Sequence, residues 1–214
     1  MNHGAQFKVG NVTKHSMDDW GLLLAPFDIP TAKVKTSYID LEGANGSIDD
    51  TEAFGITYED LSFSIKFTLP KCDYNAKLRE IKSFLHGKVV QITMYNDTDY
   101  YYLGRCNVDD FKQSKAMGTI TIDVVAIPFK LKQSVTIVNE TISGTKDVTF
   151  RNGQMPVVPS FECSSEMQLT FNGNTYSIGT TKTKVANIIF EDGDNVITFN
   201  GLGTVKVTYQ QGVL

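Results

Sequence analysis

The chain has 214 residues and a mass of 23.7 kDa, which at about 150 residues per domain fits one large domain or two small ones. Hydrophobic residues make up 41% and charged residues 21%, which is enough apolar material for a core and excludes wholesale disorder. The net charge of −4 gives a surface that repels phosphate, so a dedicated nucleic-acid binder is disfavoured.

Targeting signals and disulfides are not expected. The first residues lack an apolar stretch after a basic start, and no run of about 20 apolar residues occurs, which predicts neither a secretory signal nor a membrane helix. Cys72, Cys106 and Cys163 are odd in number and have no Cys-x-x-Cys spacing. They indicate reduced thiols in a protein made in a cytoplasm.

Alternation of apolar and polar residues predicts β-strands along most of the chain. Residues 61–69 have a period of two, which is typical of a strand with one buried face. The pattern recurs at 90–94, 120–126, 167–171, 196–198 and 205–209. Clusters of Asn, Asp and Gly at 96–99, 172–174 and 192–194 predict tight turns, the first between strands near 88–95 and 100–106.

One amphipathic helix is predicted between Asp73 and Gly87. Its apolar residues follow i, i+4, i+7, i+11 spacing: Tyr74, Leu78, Ile81 and Leu85. Asp73 suits the N-cap, and Gly87 suits the left-handed conformation that ends a helix. His86 is expected to favour the negative end of the helix dipole.

A change in composition predicts two domains, residues 1–133 and 134–214. Charged residues number 32 among the first 133 positions but only 12 among the last 81. The second part is rich in Thr, Val, Gly and Asn and has no helical period, which is typical of a small β-sandwich.

The residues that catalysis would need are sparse, and we expect no enzyme and no cofactor. His15 and Ser16 lie beside Asp18 and Asp19, but adjacent residues rarely form a triad and no Gly-x-Ser-x-Gly elbow occurs. Pairs of carboxylates occur at 18–19, 49–50 and 109–110. Neighbours on a strand point to opposite faces, so solvated turns explain these pairs better than a glycosidase site.

Two binding hypotheses rest on the second domain. Residues 191–195 resemble the start of a calcium loop, but the rest of the EF-hand pattern is missing and no metal site is predicted. A sugar-stacking platform is the other hypothesis. It rests on seven aromatic residues, most of which we expect in the core: Phe150, Phe161, Phe171, Tyr176, Phe190, Phe199 and Tyr209.

Several stretches, in this order, resemble the distal tail (Dit-like) protein of long non-contractile-tailed phages, the siphophages, and of their prophages. They are Asp19-Trp20-Gly21-Leu22, Gly43-Ala44-Asn45-Gly46 with Asp49, Leu85-His86-Gly87-Lys88, the run from Tyr100 through Tyr102 and Gly104 to Arg105, Ile127-Pro128-Phe129-Lys130, and residues 191–214. The stretch Ile127-Pro128-Phe129-Lys130 differs from the family's Pro-Tyr-Lys motif in having Phe129 for tyrosine.

The resemblance implies a mainly β fold with an N-terminal β-sandwich-like belt domain, one α-helix and a C-terminal galectin-like β-sandwich. It implies a homo-hexameric ring that joins the tail tube to the adsorption apparatus in the virion tail tip, built in the bacterial host cytoplasm. Its partners are then the tail tube protein, the tape measure protein, a tail-associated lysin-like tip protein and receptor-binding proteins, with DNA only in transit and no membrane. The motif residues are the candidate ring-interface residues: Trp20, Gly43, Gly46, Leu85, His86, Gly87, Lys88, Tyr102, Gly104, Arg105, Pro128, Phe129 and Lys130.

Other functions stay open. The chief alternative is a carbohydrate-binding module that aids host attachment, and a tail-tube-like subunit or a hydrolase are further ones. A ring needs lateral contacts between copies, for which we expect the strands at 61–69 and 118–127 to offer edges. Six copies at −4 each carry −24, so we expect an acidic lumen that DNA passes without sticking.

Overall fold

The structure, a computed structural model, describes residues 3–53, 55–70, 74–109, 112–113 and 117–214. The chain divides into two compact units, Met1–Lys130 and Leu131–Leu214, each with its own hydrophobic core. Strands dominate both units, and the described residues contain one α-helix. The prediction of a mainly β fold with one helix is confirmed. Cys72 and Asp73 lie outside the described residues, as does Asp110.

Unit 1 contains strands β1 to β10 and helix α1. Their bounds are β1 (Ala5–Val9), β2 (Val12–His15), β3 (Leu23–Leu24), β4 (Tyr38–Asp40), β5 (Ser47–Asp49), β6 (Leu61–Pro70), α1 (Tyr74–Leu85), β7 (Val89–Met94), β8 (Asp97–Val108), β9 (Lys112–Gln113) and β10 (Met117–Ala126). The main sheet runs β2-β1-β7-β8-β10-β6-β3, and β9 adds to β10. All of its pairs are antiparallel.

The period of two correctly predicts β6 and β10. In β6 every second residue from Leu61 to Leu69 is buried, and the intervening side chains are exposed or half-buried. β10 alternates in the same way. The expectation that 118–127 offers a free edge is wrong, because β10 lies between β6 and β8. β6 is open only in part, because β3 covers Phe67 and Thr68 on its outer side.

Helix α1 forms where the apolar spacing predicts it. Tyr74, Ile81 and Leu85 are buried and belong to the core of unit 1, while Leu78 packs against that core half-buried. The turn predicted at 96–99 is tighter than expected. It consists of residues 95–96, and β8 already begins at Asp97.

A projecting ribbon, here called the arm, comprises residues 33–59. Its distal strands β4 and β5 form a separate two-stranded sheet, joined by the turn that holds Gly43 and Gly46. Nearer the main sheet, the backbone of Lys33 bonds to that of Glu59 and the backbone of Lys35 to that of Thr57. Almost every described residue of the arm is exposed.

Unit 2 is a β-sandwich built on a long two-stranded ribbon. Its strands are β11 (Lys130–Lys132), which crosses the division between the units, β12 (Thr136–Asn152), β13 (Ser160–Cys163), β14 (Met167–Phe171), β15 (Asn174–Ile178), β16 (Thr183–Lys184), β17 (Gly193–Tyr209) and β18 (Gly212–Val213). β12 and β17 pair along all 17 residues of each strand.

The glycines of the ribbon lie where its free edge changes partner strand, an interval here called the bend. The free edge of β17 pairs with β14 at residues 198–200 and with β13 at residues 205–208, so two strand groups attach on either side of the bend. Gly201 and Gly203 lie in the interval, opposite Gly144 and Ile142 of β12. A residue with a side chain would clash here, because Cβ atoms built on Gly201 and Gly203 lie 2.6 Å and 2.4 Å from neighbouring atoms.

Two local predictions for unit 2 are wrong, and one is confirmed. Residues 172–173 form the predicted tight turn between β14 and β15, with both φ angles positive. Residues 192–194 form no hairpin, because β17 starts there and pairs instead with the distant β12. The alternation at 196–198 predicts that Val196 is on the buried face, but Val196 is exposed and Ile197 is buried.

Candidate functional site

The first family motif builds the core of unit 1. Trp20 ends the turn after β2 and is 1% exposed, with its indole Nε1–H donating to Glu80 Oε1 of α1 at 3.2 Å. Its ring packs against Phe7 and Phe84, with centroids 5.7 and 5.6 Å apart. Trp20 therefore joins β1 to α1 and is not available to another chain.

The end of α1 and the middle of β8 meet, which brings two of the motifs together. Gly87, with φ 75°, donates its N–H to the carbonyl of Cys106, and the backbone carbonyl of Lys88 accepts the Cys106 N–H. The guanidinium of Arg105 donates to the Gly87 carbonyl, and Lys88 Nζ donates to the Ser83 carbonyl at 2.7 Å. These cations satisfy carbonyls at the negative end of the helix. Leu85 of the same motif is fully buried.

His86 directly follows the last residue of α1, and it is exposed. Its Nδ1 accepts the backbone N–H of Val108 in β8 at 3.2 Å, so His86 links the helix end to that strand. That His86 favours the negative end of the helix dipole stays a prediction.

Lys130 and Tyr102 are half-buried, and Lys130 lies close to polar residues of β8, the strand that contains Tyr102. Lys130 Nζ lies 2.7 Å from Asp97 Oδ2 and 5.8 Å from the centroid of the Tyr100 ring. Partial burial, the largest single influence, lowers the pKa of Lys130, but the hydrogen bond to Asp97 and the electrostatic attraction of Tyr102, Asp97 and Tyr100 together outweigh it, so the pKa of Lys130 is raised. Burial raises the pKa of Tyr102, whose ring packs against Phe63.

The remaining motif residues divide between packing and exposure. Phe129 makes an edge contact with Tyr58, with ring centroids 5.5 Å apart, and Pro128 is half-buried beside it in sequence. Gly43 and Gly46 lie in the exposed turn of the arm, with φ of 82° and 81°. Such angles favour glycine, so both residues shape the turn.

The His15–Ser16 pair is part of a turn and is not arranged for catalysis. Ser16 Oγ accepts the Ala5 N–H at 3.0 Å, and Nδ1 of His15 faces the N–H groups of the two residues that follow Ser16. Asp19 accepts the His15 N–H at 2.7 Å, and this bond holds the pKa of its carboxyl below the usual range. Burial raises the pKa of the Cys106 thiol to about 12, so Cys106 is no thiolate at neutral pH.

The side-chain amide of Asn195 fills the loop that resembles a calcium site. Asn195 is buried, and its Nδ2 donates to the carbonyls of Glu191 at 2.9 Å and Gly193 at 3.2 Å, with Phe150 O at 3.5 Å. Its Oδ1 accepts the Glu191 N–H. The carbonyl oxygens that a cation would need are directed at this amide. Within the described ranges, no group of three His, Cys, Asp or Glu residues could hold a metal ion.

Asn195→Asp is expected to destabilise unit 2 by about 2 kcal/mol at pH 7, because a carboxylate would face three carbonyl oxygens. This repulsion raises the folded-state pKa of the new carboxyl above its unfolded value. The folded state then binds more protons, so the loss should shrink as pH falls below the unfolded pKa and grow as pH rises through the folded one. Urea unfolding at pH 4 and pH 7 measures both values. Asn139→Asp, the same change on an exposed face of β12, should leave the midpoint unchanged.

The aromatic residues of unit 2 form its core. Tyr176 is half-buried and the other six are buried: Phe150, Phe161, Phe171, Phe190, Phe199 and Tyr209. Phe150 stacks on Phe190 with centroids 5.2 Å apart. These residues therefore do not form the exposed stacking platform that the carbohydrate hypothesis requires. Among the residues with assigned positions, no helix is long and apolar enough to cross a membrane.

The fold belongs to the class seen in phage distal tail proteins. No protein-family model matches this sequence, and no curated protein matches it. Among solved structures, the chain is similar to the Dit protein of phage SPP1, which is described as a paradigm of the hub adsorption apparatus in phages that infect Gram-positive bacteria. The TM-score is 0.67 over 96% of this chain and 98% of that chain, with 12% sequence identity. The Dit-like fold that the sequence motifs implied is thus confirmed.

Sequence reasoning missed the most exposed apolar surface of unit 1. Among its described residues, the arm presents six large apolar ones, each at least 39% exposed: Val34, Tyr38, Ile39, Leu41, Ile48 and Ile56. A two-stranded hairpin with no packed face is at best marginally stable in water. Exposed apolar residues concentrated in this way mark an interaction surface. The sequence does set this segment apart by its charge, since no basic residue occurs between Lys35 and Lys66 while seven acidic ones do.

Proposed function

We propose that this protein is the hub of a phage tail tip, a hexameric ring that joins the tail tube to the adsorption apparatus and lets DNA pass through its lumen. The observation that carries the proposal is the Dit-like fold, which extends over nearly the whole of both chains. In this proposal residues 1–133 form the belt of the ring and residues 134–214 form a galectin-like domain.

The arm supports self-association. Ile39 and Ile48 face each other across β4 and β5 and are 45% and 52% exposed. Their burial against another copy would stabilise both the contact and the hairpin. If the arm of one copy contacts a different surface of the next, the contact is head-to-tail, and head-to-tail contacts form a ring when the rotation between copies closes.

The proposed partners are other tail components. They comprise the tail tube protein, the tape measure protein, a tail-associated lysin-like tip protein and receptor-binding proteins, and the proposed location is the virion tail tip. Six copies at −4 each give the ring a charge of −24, and an acidic lumen would let DNA pass without binding.

The test is the mass of the purified protein across concentrations by light scattering, with electron microscopy of the largest species. We expect a species near six times 23.7 kDa with a central hole. A monomer at every concentration would contradict the ring, and stacked tubes would favour a tube subunit. A reconstruction in which Lys and Arg line the hole would overturn the acidic lumen alone.

Ile39→Thr/Ile48→Thr is expected to abolish the ring while leaving the fold intact. Threonine keeps the β preference of both positions but removes apolar surface from the arm. The ring population is measured by light scattering and the fold by thermal unfolding. Leu202→Thr in unit 2 is the control, because Leu202 is 73% exposed and lies outside the arm. Loss of the ring in both variants, or in neither, would argue against the arm as the interface.

A further inference from the structure

A cavity lined by aromatic residues lies beside the turn between β7 and β8. It has a volume of about 460 Å³, and three of its lining residues have rings: His3, Phe27 and Tyr95. The Tyr95 ring pairs with both others, because its centroid lies 4.7 Å from that of His3 and 6.4 Å from that of Phe27. Volumes of this order are typical of sites for small molecules. We call this space the aromatic cavity.

Backbone hydrogen bonds hold the segments that line the aromatic cavity. The Tyr95 N–H donates to the Gly4 carbonyl at 3.1 Å, which ties down the segment that carries His3. Ala25 is also a lining residue, and its N–H donates to the Lys66 carbonyl of β6 at 3.0 Å. The cavity is therefore formed by segments attached to the main sheet, and most small-molecule sites are formed before the ligand binds.

A second cavity adjoins the first and contains charged residues. It has a volume of about 280 Å³ and shares Phe27 and Asn96 with the aromatic cavity. Its charged lining residues are Asp28, Asp97 and Lys130, and Lys130 Nζ lies 2.7 Å from Asp97 Oδ2. An anionic ligand would meet two carboxylates here, and a cationic one would meet the lysine. The charges therefore favour a ligand that is neutral. We call this space the charged cavity.

Three polar side chains at the two cavities are available to a ligand. Among the described residues, no hydrogen bond involves the side chain of His3, Asp28 or Asn96. A carboxylate only accepts hydrogen bonds, whereas an amide both donates and accepts them. A purely apolar ligand would cover these groups without pairing them, which costs affinity. The ligand must therefore combine an apolar surface for the rings with several hydroxyl or amide groups.

We propose that the aromatic cavity and the charged cavity together bind a neutral saccharide. A sugar ring has C–H groups on its faces and hydroxyl groups at its rim. The C–H groups are apolar and slightly positive, so they pack on the negative face of an aromatic ring such as that of Tyr95. The hydroxyl groups both donate and accept, which matches the amide of Asn96 and the carboxylate of Asp28. This inference goes beyond the proposed hub and does not depend on the ring.

Ligand-observed NMR of the native chain tests the site with a panel of neutral hexoses, 6-deoxyhexoses and N-acetylhexosamines. At least one of these sugars is expected to bind in the millimolar range, with saturation transferred mainly to the C–H protons of one face of its ring. Sorbitol has the hydroxyl groups of a hexose but no ring, so it is expected not to bind. Failure of every sugar in the panel would overturn the proposal.

Removal of the shared ring is expected to weaken binding. In Tyr95→Ala the sugar loses an aromatic face, so its Kd should rise at least about fivefold. Tyr95→Phe keeps the ring and should bind within about twofold of the native chain. Tyr176→Ala is the control, because Tyr176 is a half-buried tyrosine of unit 2 that lines neither cavity. Equal Kd values for Tyr95→Ala and the native chain would contradict the site.

Asn96→Ala tests the polar contact with little risk to the fold. Asn96 is exposed and its φ is not positive, so alanine fits this position of the turn. Loss of the amide is expected to raise the Kd of the sugar about threefold to tenfold. Asn107→Ala makes the same change at an exposed residue of β8 that lines neither cavity, and it should leave the Kd unchanged. The same Kd in both variants would mean that the sugar binds elsewhere.

Other classes of ligand complete the test. Tetramethylammonium, acetate and a proline-rich peptide are compared with the best sugar on the native chain, because aromatic rings also attract organic cations and prolines. All three are expected to bind more weakly than the sugar. Tighter binding of any one of them, lost in Tyr95→Ala, would overturn the saccharide as the ligand. The mass of Tyr95→Ala by light scattering should equal that of the native chain, which separates a loss of binding from a loss of assembly.

Discussion

Replacing Gly104 with alanine is expected to lower the free energy of unfolding of unit 1 by about 3 kcal/mol. Gly104 lies in β8 between Val90 of β7 and Ala126 of β10, and it is buried. A Cβ atom built on it lies 2.8 Å from the Ala126 Cβ, from Val124 Cγ1 and from the Val125 carbonyl oxygen. Real Cβ atoms do not approach so closely, so a strand must move.

Moving the neighbouring strand β10 would cost stability. β10 is paired with β6 through ten consecutive residues, and its inward side chains belong to the core. Alanine also reduces the freedom of the unfolded chain, which by itself stabilises by about 0.4–1 kcal/mol. The clash is the larger effect, since overpacking costs about 1–3 kcal/mol and here one of the contacts is backbone.

Fluorescence of Trp20 during urea unfolding measures this loss. Trp20 is the single tryptophan and lies in the core of unit 1, so its emission reports on that unit. A lower midpoint with an unchanged slope is the expected result. Gly179→Ala in unit 2 is the control for effects unrelated to the clash and should leave the Trp20 transition unchanged, because no heavy atom beyond its chain neighbours lies within 4 Å of its Cβ position. Equal midpoints for Gly104→Ala and the native chain would show that the strands adjust without cost.

The elements that the sequence predicts correctly bury one face against a core in the same chain. β6 and β10 alternate because one side meets the core and the other meets solvent. Helix α1 follows its apolar spacing for the same reason. The Asn172-Gly173 turn is local, because it needs only two residues that accept positive φ. In each case the cause lies within a few residues of its effect.

The failures arise where a polar contact, and not the alternation of apolar residues, decides the structure. Val196 and Ile197 are both apolar, so alternation cannot choose the buried face of β17. The hydrogen bonds of Asn195 to loop carbonyls place that residue inside, and Ile197 follows it. Similarly, the helix end is satisfied by Arg105 from another element, which no pattern within 74–88 indicates.

The candidate site residues also differ in whether their own chain covers them. Trp20 and Gly104, two of the motif residues, build the core and the strand packing, and sequence reasoning could identify them without showing their role. The arm has the opposite character, since almost nothing in its own chain covers it. A surface that its own chain leaves uncovered leaves little trace in the patterns of hydrophobic burial, although its charge distribution is visible in the sequence.

Gly201→Ala is the second substitution with a large expected effect, a loss of about 2–3 kcal/mol confined to unit 2. Its Cβ position lies 2.6 Å from Met167 Cβ and 3.3 Å from Met167 Cα. Met167 is 4% exposed and begins β14, which pairs with β17 just before the bend. The new methyl group would push β14 away from β17 at the point where the ribbon turns.

Hydrogen exchange with mass spectrometry locates this effect. Peptides from residues 160–171 and 193–209 are expected to exchange faster, because the strands on both sides of the bend depend on it. Peptides from β6 and β10 belong to the other core and should be unchanged. Faster exchange throughout the chain would mean that the loss is not local to the bend.

A second substitution distinguishes the clash from any other effect of alanine. Met167→Gly removes the Cβ atom that the new methyl group meets and itself costs stability, because it removes a buried side chain. In that background Gly201→Ala should cost clearly less than in the native chain, which gives a coupling energy of at least about 1 kcal/mol. If Gly201→Ala costs the same in both backgrounds, its effect comes from the backbone of β17. If the cost falls, the close approach of β14 is the reason that this position of the bend is glycine.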